Sequence, residues 1–143
     1  MPSARKHLLW AGRHLDAARE IQALTDPSWA AVALLYSARD LAHAVFDADV
    51  TLKDPCRHPL NHTNVDPANP GTNVVIKRHY RAVEIPYMDL YSMSLAVRYR
   101  GQQLNASAIG ELVEQWAAVG RWARKELVAC GRASLPAWVP GAT

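Results

Sequence analysis

No stretch of this 143-residue chain is apolar for long enough to cross a bilayer. Its two cysteines, Cys56 and Cys130, are too few for a disulfide framework and read as free thiols of a reducing compartment. A basic run is missing as well. The sixteen Lys and Arg residues are scattered, so a net charge of +3 tolerates an anionic partner without identifying one. Repeats and low-complexity tracts are absent, and nothing marks a second domain. Near the N-terminus, Arg5 and Lys6 are followed by His14, Asp16, Arg19 and Glu20 too soon to leave a signal-peptide core. The expectation is a soluble, cytoplasmic protein without membrane contact.

What is present is half apolar residues and a fifth charged ones, the balance of one globular domain with a real core. Leu8, Ala11, Leu15, Ala18 and Ile21 recur at three-and-four spacing and predict an amphipathic first helix over residues 3–24. Asp26 and Pro27 supply a cap and a first turn for a second helix starting at residue 27 or 28. That helix, running to about Phe46, is apolar nearly all round and belongs at the centre of the fold. Its polar residues Tyr36, Arg39, Asp40, His43 and Asp47 form a narrow stripe. Charge is costly to bury unpaired, so the stripe is either a solvated edge with local pairs or the wall of a groove.

Residues 47–72 change character, with Pro55, Pro59, Pro67, Pro70, Gly71 and three asparagines, and predict a long polar loop. From residue 74 to about 83 the pattern fits a short helix or an extended piece equally. A third long helix follows Pro86, with Tyr87, Leu90, Tyr91, Ser94, Leu95 and Arg98 on one face and Gly101 as its stop. Asn105 or Ser107 caps a last helix ending near Gly131. The fold expected is all-α, a single-domain antiparallel bundle of four to five helices over residues 1–132, followed by a proline-containing tail over residues 133–143. That tail either folds back through Trp138 or stays loose.

The run from Trp29 through Tyr36 and His43, the polar loop with its histidines, and Tyr87, Leu90, Arg98 and Tyr99 together resemble the HEPN superfamily of small helical bundles. The likeness is one of pattern and covers residues 29–128. It implies a helical bundle that forms a homodimer, with many members acting as metal-independent ribonucleases of toxin–antitoxin or phage-defence systems. Their signature is an Arg followed four to six residues later by a His, which Arg57-His58-Pro59-Leu60-Asn61-His62 matches in wording. Pro59 places the match in a loop or a single turn, where the family carries it on a helix.

The chemistry of such a pair is direct. An arginine neutralises the scissile phosphate, and a neutral histidine moves a proton to or from ribose or leaving-group oxygen, with no cofactor. As an enzyme, the chain would use Arg57 and His62 as catalytic residues, with His58, Asn61, Arg39 and His43 lining the cleft. As a binding module, it would use Tyr36, Arg39 and His43 to hold RNA, a nucleotide or a partner protein such as an antitoxin. Cys56, His58, His62, Asp66 and His79 are all metal-ligand types, but the His58–His62 spacing means little off a helix, and no metal site is assigned. His7 and His14 read as seam histidines of the first helix. Trp122 falls off the apolar face of the last helix, and the Arg98-Tyr99-Arg100 cluster reads as a solvated helix end.

Overall fold

The central helix sets the architecture. In a computed structural model describing residues 2–132 and 134–141, α2 (Ala30–Ala48) touches α1 (Ala4–Gln22), α4 (Glu84–Arg100) and α5 (Ala106–Ala129). Leu34, Leu35, Leu41, Val45 and Phe46 are fully buried in that position, each contributing about 1.5–3 kcal/mol of burial. A short α3 (Thr72–His79) and a 3-10 turn (Arg81–Val83) precede α4. The described residues are all helical in one domain, with no strand and no helix long and apolar enough to cross a membrane.

Local chemistry sets the helix ends. Ser3 and Asn105 cap α1 and α5 by accepting from the amides of Lys6 and Ala108. Gly101, at φ 63°, takes the left-handed conformation that stops α4. Helix α2 begins a little later than its sequence predicts. Asp26 accepts from both the amide and the hydroxyl of Ser28, and the amides of Ala30 and Ala31 bond back to Pro27 and Ser28 in a tight opening turn. Residues 74–83, open between two conformations from sequence, fall in α3 and the 3-10 turn, and α3 forms because Thr72, Val75 and Ile76 share a buried face.

One buried polar link ties three helices. The Ser37 hydroxyl donates to the Ala11 carbonyl at 2.8 Å and accepts from the Trp116 indole at 2.9 Å. The tail folds back on this region. Trp138 stacks on Trp116 and covers Gly12, where a Cβ would lie 3.1 Å from the indole, and Val139 is fully buried. Arg124 holds the segment by donating to the carbonyls of Pro136, Val139 and Pro140. Trp122 is half-buried with its ring edge on Tyr80, so it is core packing and not a free aromatic surface. Trp29, by contrast, is 53% exposed.

Candidate functional site

The polar stripe of α2 is not a solvated edge. Four other elements cover it: α1, the loop over residues 49–71, α3 and α4. On the α1 side, His7 Nδ1 lies 3.0 Å and His14 Nε2 3.5 Å from the two carboxylate oxygens of Asp40. Two turns on, Asp47 accepts from the Ala4 amide at 2.7 Å, placing a carboxylate at the positive start of α1. His7 and His14 are thus drawn together by Asp40, and the His7 ring meets His43 edge-on at 5.3 Å. Sequence spacing pairs the two histidines with each other but cannot name the aspartate on α2 that joins them.

On the opposite side, the loop is strapped to the start of α3. The amides of Thr72 and Asn73, which have no partner within their own helix, bond to the carbonyls of Asn61 and His62, each at 2.9 Å. The Gly71 amide bonds to Asn64 O at 2.8 Å, while the Asn61 side chain closes a local turn by accepting from the Asn64 amide. A Cβ at Gly71 would lie 2.6 Å from the His62 carbonyl group, so only glycine allows this approach. The asparagines and glycine of the loop therefore act first as the geometry that presents His62.

Thr72 is the junction of strap and stripe. Its hydroxyl donates to Asn61 O at 3.3 Å and accepts from Arg39 Nε at 3.2 Å. With one proton and two lone pairs, it has one position left for His43 Nε2 at 2.8 Å, which places the proton of neutral His43 on Nε2. Burial, followed by the charge of Arg39 and the neighbouring His7, His62 and His58, holds the His43 pKa well below that of an ordinary imidazole.

His62 sits between two tyrosines, its ring centroid 6.0 Å from Tyr36 and 5.5 Å from Tyr91. It is half-buried, and Nδ1 is enclosed with no partner among the described residues, so the open edge of the ring is the Nε2 side. Burial and the charges of Arg39 and Arg98 lower its pKa to about 4, so the ring is neutral at pH 7. Arg98 reaches in from α4 and donates from Nη1 to the Tyr36 hydroxyl at 3.2 Å, but its buried Nε has no partner among the described residues. A buried donor left in that state costs on the order of 1–3 kcal/mol.

Arg57 is placed differently. Its Nε and Nη2 donate to the carbonyls of Phe46 and Asp47, closing the C-terminal end of α2. His58 lies 4.0 Å from Asp47 at the same end. The fold thus groups Tyr36, Arg39, His43, Asn61 and His62, sets Arg57 and His58 at the end of α2, and adds Thr72, Tyr91, Arg98, His7, His14 and Asp40. Arg98 had a legible signal, being a cation on the inward face of its helix with Tyr87, Leu90 and Tyr91. Thr72 had none. Cys56 Sγ approaches His79 Nε2 at 3.9 Å, and among the described residues no three His, Cys, Asp or Glu side chains gather to hold a metal. Compared with known proteins, the chain matches no family model, no curated protein and no solved structure.

Proposed function

We propose that the chain is a HEPN-like, metal-independent endoribonuclease whose reaction centre is the cleft formed by His62, Arg39 and Arg98. The observation that carries this reading is a neutral histidine whose open edge is the Nε2 side, subject to the charges of two arginines, one of which keeps a buried donor unpartnered among the described residues. An RNA phosphodiester fits that arrangement. Arg39, whose Nη groups make no hydrogen bond to the described residues, and Arg98 take the non-bridging oxygens. His62 removes the proton of the 2′-hydroxyl, and the freed oxygen attacks phosphorus. The bond from phosphorus to the 5′ oxygen breaks, and that oxygen takes up a proton from solvent. The order of elements supports the HEPN-like assignment: an alanine- and aromatic-rich α2, a polar loop, a tyrosine-bearing α4 and a long α5. A homodimer with an antitoxin or other protein partner belongs to the same proposal.

The test is incubation with total RNA in EDTA. The wild type is expected to cleave, and His62→Ala to lose cleavage by about 100-fold or more. Cleavage that survives in the variant removes His62 from the reaction. One observation favours a second reading, a nucleotide- or protein-binding module using the same cleft: with a pKa of about 4, free His62 is a weak base. Binding of a nucleotide without cleavage by the wild type would select it.

A further inference from the structure

The outer face of α3 carries charge that the cleft does not use. Thr72, Val75 and Ile76 turn inward and are buried, whereas Lys77 and Arg78 are exposed. Val74, Lys77 and Arg78 stand at i, i+3 and i+4 and so share one face, which exposed Arg81 extends from the 3-10 turn. With Val65 they line an open groove of about 550 Å³ with no acidic side chain on its wall. None of the three cations is ion-paired among the described residues. Three like charges this close repel one another unless an anion lies between them.

The groove lies next in sequence to the strap that presents His62. Asn73, which bonds to the His62 carbonyl, precedes Val74, and Asn64, which bonds to the Gly71 amide, precedes Val65. The strap that presents His62 thus leads in sequence into both valines of the groove wall. Eight residues of α3 span about 12 Å at 1.5 Å each, longer than a single nucleotide step. The mixture of cations with exposed valine surface fits a single strand, which offers both phosphates and base faces; a duplex hides the faces by stacking.

We propose that the groove along α3 and the 3-10 turn holds single-stranded RNA next to the phosphodiester in the His62 cleft. Lys77, Arg78 and Arg81 meet its phosphates, and Val65 and Val74 meet its bases. This rests on reading the cleft as an RNA phosphodiester site, and the groove makes the preferred substrate an extended strand and not a dinucleotide.

The experiment compares two triple variants that remove the same charge: Lys77→Gln/Arg78→Gln/Arg81→Gln in the groove, and Arg5→Gln/Arg13→Gln/Arg19→Gln on exposed positions of α1. The probe for binding is a short fluorescent 2′-O-methylated oligoribonucleotide, which lacks the attacking hydroxyl. The groove variant is expected to lose about tenfold or more in affinity, and its slope of log K against log salt to fall by about 2. The α1 variant is expected to bind as the wild type does. Equal losses in both variants, or none in either, overturn the proposal, as does displacement of the probe by oligoglutamate of equal charge, which would mark an acidic protein partner. Cleavage separates this inference from the one beneath it. The groove variant should cleave a dinucleotide as the wild type does while losing longer RNA; if no protein cleaves RNA yet the groove variant still loses the probe, the groove stands and the ribonuclease reading falls.

Discussion

Two arginines, Arg57 within the polar loop and Arg98 on α4, carry the same guanidinium to different ends. Arg57 donates to the last carbonyls of α2, groups that every helix leaves unpaired, and so joins the loop to the core. Arg98 arrives from α4 beside Tyr36 and His62 with one donor satisfied and Nε buried without a partner. The first closes a helix end, and the second keeps a buried donor unpartnered among the described residues. Proximity in sequence to His62 favours Arg57; the charges that depress His62 are those of Arg39 and Arg98. The Arg-then-His motif pairs Arg57 with His62, whereas in the structure the charges acting on His62 are those of Arg39 and Arg98.

The sharpest way to break this contrast is kinetic. Truncating His62 or Arg98 to alanine should lower RNA cleavage by about 100-fold or more, with thermal unfolding little changed for His62→Ala. If Arg57→Ala abolished cleavage in a stable protein while Arg98→Ala cleaved normally, the roles would be reversed. Gly71→Ala comes next. Its methyl group would press on the His62 carbonyl at 2.6 Å, so a loss of about 1–3 kcal/mol in chemical denaturation and a parallel fall in activity are expected. Arg57→Ala should cost about 1–3 kcal/mol in the same measurement by uncapping α2, with kcat/KM per folded molecule preserved.

The smallest effects are those of pH. Folding lowers the pKa of both His62 and His43, so the unfolded chain binds protons that the folded chain does not. Their contribution to stability is whole above the ordinary imidazole value of 6.5 and drains away as pH falls through it toward about 4, the folded value of His62. Urea midpoints measured across that window should fall with pH, and His43→Asn should flatten the decline. A bound phosphate offsets the charges of Arg39 and Arg98 and raises the His62 pKa. The acid limb of kcat should therefore lie at higher pH than that of kcat/KM; coincident limbs would remove the arginines from contact with the substrate.

Much of the fold was legible because helices are encoded by local spacing and local caps. Apolar residues at three-and-four intervals placed α1, α4 and α5, an apolar run with polar residues at that spacing placed α2, and Asn105 and Gly101 marked boundaries through the hydrogen bond or backbone angle that each supplies. The α2 stripe was visible too, but whether it met water depended on elements distant in the chain. Trp122 shows the same limit: on a helical wheel it leaves the apolar face, yet Tyr80, from another segment, covers it.

The sequence by itself determined that this chain is helical, which helix occupies the centre, and that a polar stripe runs along it, since each of these follows from periodicity within one segment. Only the tertiary structure decided what the stripe faces. It paired Asp40 with His7 and His14, placed Thr72 between Arg39 and His43, turned Arg57 to the end of α2, and brought Arg98 to His62. Those outcomes depend on where separate segments cross, and on which buried donors find acceptors there, a competition that no spacing within a single segment records.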